Sequence, residues 1–229
     1  YNPSDADIHY IYKIAGICAT VQTHEIDLPD MRYRGDAVIG NAHLKSGGRP
    51  EDFDQRLLAS QNVAYVIDHW FNGAGDGVPD PRDRILDQPP ATMVLGVFTP
   101  VVLGGDWNQE PWDALPRGPV QWLTEAELFG EDDGTDKDRS DCAFDHAVHV
   151  FTGNPATIGA AKFDYVTWQD SVVGDRRAFV FDTTQTPLFA LPEELDGFPL
   201  PGETSSYASD HNPVVVDFML PLMQDADTD

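Results

Sequence analysis

The chain holds 229 residues, 41% of them hydrophobic, enough for one domain (1–229) with a substantial core and too many for a disordered segment. No run of about 18 apolar residues occurs, which argues against a membrane-spanning helix. Charge is lopsided: 14 Lys and Arg against 39 Asp and Glu give a net −25, a balance that repels polyanionic partners at low salt.

In chain order, Ile11 to Val21 carries Ile14, Ala15, Ile17, Ala19 and Val21 and predicts a strand. Met31 to His43 predicts its neighbour through Ala37, Val38 and Ile39, giving a long hairpin whose second strand ends at Asn41-Ala42-His43. After Ser46-Gly47-Gly48, Pro50 suits a first helical position, and Phe53, Leu57, Ala64, Ile67 and Phe71 recur at helical spacing. Gln55, Arg56 and Gln61 are expected on the solvent side or as capping groups. Asn72 to Pro90 is rich in Gly, Pro and Asp and reads as a surface loop. Its Asp76, Asp80 and Asp83 offer oxygen ligands for a structural Ca2+, but their spacing does not fit an EF-hand, and a solvated acidic loop is the simpler reading.

Val101-Val102-Leu103-Gly104-Gly105-Asp106-Trp107-Asn108 follows Pro100 and predicts a buried strand that runs into two glycines. The glycines permit a tight turn or a close backbone approach. Asp106 and Asn108, two residues apart, project to the same side. A carboxylate and an amide at a strand end suit a metal-assisted phosphoesterase; an ordinary polar turn is the rival reading. His43 is expected at the same rim, with Lys45 and Arg49 flanking it as candidate substrate contacts.

Further on, Pro119 to Phe129 predicts a short helix with Trp122, Ala126 and Phe129 on one face, and Glu131 to Asp138 reads as an exposed acidic insertion. Phe163 to Trp168 alternates as a strand, with Phe163, Tyr165 and Thr167 on one face and Asp164 opposite. An acid in such a strand is costly unless paired. His146 and His149 read as structural or solvated. Thr183 to Ser206 contains Pro187, Pro192, Pro199 and Pro201 and reads as a long irregular loop, a class that is often functional. Val214 to Phe218 predicts the last strand, before an acidic tail over about 222–229. Cys18 and Cys142 leave their pairing open.

Four stations in order carry a family resemblance: Asn41-Ala42-His43-Leu44-Lys45-Ser46, Gly104-Gly105-Asp106-Trp107-Asn108, Phe163-Asp164-Tyr165-Val166 and Ser209-Asp210-His211-Asn212-Pro213. Together they resemble the endonuclease/exonuclease/phosphatase superfamily, the group of deoxyribonuclease I and exonuclease III, over roughly Tyr10 to Leu220. The resemblance implies an α+β fold, a four-layer α/β/β/α sandwich of which this chain is the C-terminal portion. It implies a divalent-metal-dependent phosphodiester hydrolase, first of all a nuclease, using Mg2+ or Mn2+ on nucleic acid or another phosphodiester. Asp106 would position or deprotonate the water and join Asp210 at the metal. Asn108 would hold a phosphate oxygen, with Lys45 a further substrate contact. Asp164 would orient His211, which stabilises charge or shuttles a proton, and His43 would assist from the opposite side. The chain departs from the family upstream of His43, where members carry an Asn in an early strand and a metal-binding Glu. The single Glu there is Glu25, and it follows no Asn-bearing strand. The rival class is a binding or structural protein that kept the rim and lost catalysis. Against that stands the joint presence of Asp106, Asn108, Asp164, Asp210 and His211.

The acids comprise 30 Asp and 9 Glu, and the bases 10 Arg and 4 Lys. Such a surface resembles proteins of high-salt organisms, with a calcium-rich extracellular protein as the alternative. The expected location is secreted or cell-surface, or the cytoplasm of a halophile. At 1 M salt the Debye length is about 3 Å, so the surface no longer repels nucleic acid. Tyr1 rather than Met at the start raises a further expectation. A companion N-terminal portion of the same precursor would supply the missing Glu and Asn and cover the apolar inner face of the sheet.

Overall fold

The computed structural model describes residues 21–66, 95–96, 98–111, 118–124, 147–168, 172–197 and 201–223. The first strand, β1 (Val21–Ile26), pairs antiparallel with β2 (Ala37–Ala42), from Val21 opposite Ala42 to Ile26 opposite Ala37. The expected hairpin is therefore present, but shifted. Ile11 to Thr20 lies outside the described residues, while Met31 to Arg34, expected in the second strand, form a turn in which the Arg32 and Tyr33 amides donate to the Pro29 carbonyl. The strand begins at Ala37, where small and β-branched residues first alternate between buried and exposed.

Helix α1 (Pro50–Val66) starts as its sequence dictates. Pro50 needs no amide partner, and the Asp52 side chain accepts the Arg49 amide at 3.2 Å, one half of a capping box. The inward face differs from expectation. It is formed by Arg56, Ala59, Ser60 and Val63, while Phe53 and Leu57 are half-buried. Arg56, expected in solvent, is 5% exposed, because three oxygen acceptors from two loops meet its guanidinium.

Strand β3 (Val101–Asp106) lies parallel to β2, in register from Val38 with Val101 to Asn41 with Gly104. It also pairs antiparallel with β4 (Asp164–Trp168), from Val102 opposite Trp168 to Asp106 opposite Asp164. The four-stranded sheet thus has the order β1-β2-β3-β4. Val101, Val102 and Leu103 are all buried, so the first half of β3 is covered on both faces, while Gly104 to Asp106 are half-buried. Helix α2 (Pro119–Thr124) packs on α1 and contributes Val120 and Leu123 to the core beside Ala59 and Val63. Ala126, Phe129, the acidic stretch 131–138, the loop with Asp76, Asp80 and Asp83, His146 and both cysteines lie outside the described residues.

Strands β5 (Gly174–Val180) and β6 (Val214–Met219) form a second, two-stranded sheet. It meets the first where Phe218 of β6 packs edge-on against Trp168 of β4, ring centroids 5.3 Å apart. β5 was not expected, because Gly-Asp-Arg-Arg hides its short apolar end, and the partner strand supplies the missing order. The expected irregular loop 183–206 is a series of 3-10 turns that ends in α3 (Thr204–Ala208). It is pinned at its base, where the buried Asp182 carboxylate accepts the Thr184 amide at 2.8 Å and the Thr184 hydroxyl at 2.6 Å. Thr183 and Ser205 exchange hydrogen bonds beside it. Helices and mixed sheets make the fold α+β, with no helix among the described residues long and apolar enough to cross a membrane.

Candidate active site at the β3–β4 strand ends

The site is assembled by sheet register. Asp106 and Asp164 are direct cross-strand partners at the end of β3 and the start of β4. Continued two residues beyond Asn41 and Gly104, the parallel register of β2 and β3 brings His43 beside Asp106. That approach requires Gly105. Its φ of 139° lies in a region side chains rarely enter, and a Cβ there would stand 2.0 Å from the Ala42 carbonyl oxygen. The Leu44 amide donates to the Asp106 carbonyl at 2.9 Å, extending the strand contact into the turn.

Between Asp106 and Asn108 the chain sends Trp107 into the core. Trp107 is fully buried and stacks on Tyr165 with centroids 4.7 Å apart, and its amide donates to the Phe163 carbonyl at 2.7 Å. With Trp107 anchored, both neighbours stay at the rim. Asn108 adopts a left-handed φ of 52°, a conformation Asn tolerates better than most residues. Its amide donates to Asp106 Oδ1 at 2.8 Å, and its Nδ2 donates to the Leu44 carbonyl at 3.1 Å.

Asp106 Oδ2 faces two imidazoles, with His43 Nε2 at 3.4 Å and His211 Nε2 at 4.0 Å. His211 Nδ1 lies 2.8 Å from Asp164 Oδ2, so its ring bridges the two carboxylates. Thr157, which the sequence did not single out, holds both ends of this pair. Its hydroxyl accepts the Phe163 and Asp164 amides at 2.9 and 3.0 Å, and its carbonyl accepts the Asn212 amide at 2.7 Å.

The electrostatics follow from this geometry. Burial pushes the Asp106 carboxyl above its ordinary value, and the Asp164 charge adds to the rise against the opposing Asn108 amide and the two imidazoles. For His211, burial disfavours the charged ring. The hydrogen bond to Asp164 and the charges of Asp164, Asp106 and Asp210 outweigh it and hold the pKa above the ordinary histidine value. Lys162, also missed, is 1% exposed behind the site, and burial lowers its amine to about 8 while its Nζ donates to the Ala147 carbonyl at 3.2 Å.

Asp106, Asp164 and His211 each present a ligand atom within 4.8 Å of the others, a set that could hold a divalent ion. Asp210 is exposed and stands outside this group. Lys45 is engaged by Asp52 Oδ1 at 3.3 Å and by the Ser46 carbonyl at 2.6 Å. Glu25 pairs with Val38, toward the end of the hairpin remote from His43, and no glutamate joins the group among the described residues. His149 is buried, with its ring nitrogens 3.1 Å from the Thr152 hydroxyl and 3.0 Å from the Thr186 hydroxyl, a structural role.

No known family profile and no curated protein matches the sequence. Among solved structures the chain is similar to the catalytic domain of human Nocturnin with bound sulfate, at 17% identity and a TM-score of 0.43 over 88% of this chain and 52% of that one. It is similar also to an endonuclease/exonuclease/phosphatase protein from Beutenbergia cavernae, at 16% identity and a TM-score of 0.42 over 89% and 40%. The chain spans about half the length of the structures it matches.

Proposed function

We propose that this protein is a divalent-metal-dependent phosphodiester hydrolase, acting on nucleic acid in the first instance. The observation that carries the reading is the single Asp106 oxygen placed between His43 and a second imidazole, His211, that is itself backed by Asp164. Hydrolysis of a phosphodiester needs a base for the attacking water, stabilisation of negative charge on phosphorus, and a proton for the leaving oxygen. Asp106 Oδ1 is held by the Asn108 amide, which leaves Oδ2 aimed at the rim to take the proton of a water. His211 carries its proton more readily than an ordinary histidine and is oriented through Nδ1, so Nε2 can donate to a phosphate or leaving oxygen. His43, 72% exposed, meets the substrate from the other side, with Asn108 at the same rim.

The hard oxygens of Asp106 and Asp164 would suit Mg2+ or Mn2+, with the protonated His211 ring beside them as the proton donor and not as a ligand. Such an ion, when bound, supplies charge neutralisation at the phosphate. Asp210 remains a candidate outer ligand and Lys45 a candidate substrate contact. The same reading takes residues 1–229 as one domain of a four-layer sandwich, with the half-buried β6 as the place where a companion N-terminal portion would pack.

The absence of a glutamate from the group among the described residues favours a second reading, a non-catalytic binding protein on the same fold. Plasmid DNA and bis(p-nitrophenyl) phosphate, incubated with Mg2+ or Mn2+ at low and high salt, decide between them. Cleavage that EDTA stops and that Asp106→Asn abolishes supports the hydrolase. No cleavage of either substrate under any of these conditions supports the binding protein.

A further inference from the structure

Arg56 is a buried cation that the chemistry above leaves unused. It lies on the inward face of α1, 5% exposed. Arginine is seldom buried to that degree unless its N–H groups are met. Its acceptors come from two separate loops. Nη1 donates to the carbonyls of Lys45 and Gly47, at 2.9 and 2.8 Å, in the turn that follows His43. Nε donates at 3.1 Å to Oε1 of Gln109, the residue after Asn108. Gln109 is equally buried, and its carbonyl accepts the Tyr165 hydroxyl at 2.7 Å. One guanidinium therefore spans the two chain segments that present His43 and Asp106.

We propose that Arg56 is a positioning residue: it sets the spacing between the His43 turn and the Asp106–Asn108 loop, and through it the 3.4 Å approach of His43 Nε2 to Asp106 Oδ2. The role in catalysis rests on the phosphodiesterase reading. Three features make the strut necessary. His43 is 72% exposed, so packing does not fix it and its position is inherited from its turn. Two further hydrogen bonds between these segments both end on Leu44, one from its amide to the Asp106 carbonyl and one from Asn108 Nδ2 to its carbonyl. Both hold the near side of the turn; the far side, at Lys45 and Gly47, is held by Arg56. Finally, guanidinium is planar, permanently charged and has its donors in a rigid fork, so its reach does not change with pH or rotamer as an ammonium's does.

Arg56→Lys keeps the charge and the apolar stem and loses the fork, because one ammonium cannot follow the Nε and Nη1 directions together. A displacement of about 1 Å at a reacting group costs about 10²-fold in rate. The test uses the full chain with bis(p-nitrophenyl) phosphate and Mn2+. It measures kcat, KM and melting temperature for wild type, Arg56→Lys and Gln109→Ala, with crystal structures of wild type and Arg56→Lys. For Arg56→Lys we expect kcat to fall about 10²-fold with KM within about twofold, the signature of lost transition-state geometry and not of lost binding. For Gln109→Ala, which removes the acceptor of Nε, a loss of about tenfold in kcat is expected. The crystal of Arg56→Lys should show the His43 turn drawn away from Asp106. A variant that melts lower while kcat holds would reduce Arg56 to a structural residue and overturn the proposal, as would an unchanged His43–Asp106 approach. If Arg56→Lys does not fold, Gln109→Ala decides by the same kcat and KM criteria. If wild type cleaves nothing, the functional reading falls on its own account. The crystallographic comparison then judges the strut: a moved turn supports it and an unmoved turn refutes it.

Discussion

His211 Nδ1 and Asp164 Oδ2 stand 2.8 Å apart although 47 residues of chain separate them. The contact raises the His211 pKa against the opposing effect of burial, so Asp164→Asn should let it fall. The folded value lies above the unfolded one of about 6.5, so the protonated ring adds stability that is complete below that pH. It is lost as pH rises through the folded value. The melting-temperature gap between wild type and Asp164→Asn should therefore be widest near pH 5.5 and narrow toward about pH 8.5. A gap that stays constant across that range would show that His211 does not titrate against Asp164. Turnover should drop about 10²-fold in the same variant, since an unoriented imidazole is a poor proton donor.

Asp106 gives the opposite stability result. Burial raises its pKa first and Asp164 adds to that, so ionised Asp106 costs stability near neutrality. With a raised carboxyl pKa the favourable form is the protonated one, present at low pH and lost as pH rises through the folded value. Asparagine is neutral, nearly isosteric and keeps an oxygen for the Asn108 amide. At pH 7, Asp106→Asn should melt at or above the wild-type temperature while turnover falls about 10²- to 10⁴-fold. Lower melting with turnover retained would remove Asp106 from the chemistry.

The site was legible in the sequence where one residue type does one job at a strand end. Asp106, Asn108, Asp164, His211 and His43 all stand out in the sequence; register brings His43, Asp106 and Asp164 together, while hydrogen bonds beyond the strand ends place Asn108 and His211 beside them. What was not legible depends on partners remote in sequence. Arg56 reads as a solvent-side residue on its helix, because nothing local reveals the carbonyls of Lys45 and Gly47 waiting behind it. Thr157 looks like an ordinary loop threonine, yet its side chain and carbonyl hold both halves of the Asp164–His211 pair. Gly174 to Val180 is too polar at its start to announce a strand, and its order comes from β6.

Gly104 and Gly105 are adjacent and chemically identical, yet their alanine variants should part company. At Gly104 an added Cβ meets Tyr165 O at 3.4 Å and Val166 Cγ2 at 3.5 Å, which is ordinary contact. At Gly105 it meets backbone at 2.0 Å, with φ at 139°. Backbone cannot rotate aside as a side-chain tip can, so β2 and β3 must separate where His43 and Asp106 meet. We expect Gly105→Ala to cost about 3 kcal/mol or more and to abolish turnover, and Gly104→Ala to stay within about 1 kcal/mol of wild type. Urea melts of the two variants test this, and equal midpoints would contradict it.

The net charge of −25 sets the last expectation. Cations are too few to compensate it locally, and the Arg177–Asp217 pair is of the exposed kind that contributes little. Repulsion among the carboxylates then acts over the Debye length, about 30 Å at 0.01 M salt and about 3 Å at 1 M. Unfolding relieves it by moving the charges apart. Added NaCl should therefore raise the melting temperature, by about 2–4 °C for each 1 kcal/mol of repulsion removed in a chain of this length. Sucrose, which favours the compact state without screening charge, separates the two effects. A melting temperature that rises with sucrose but not with NaCl would mean that self-repulsion is not what limits this fold. If NaCl also brings DNA cleavage above the level seen at low salt, the same screening that steadies the protein is what admits its polyanionic substrate.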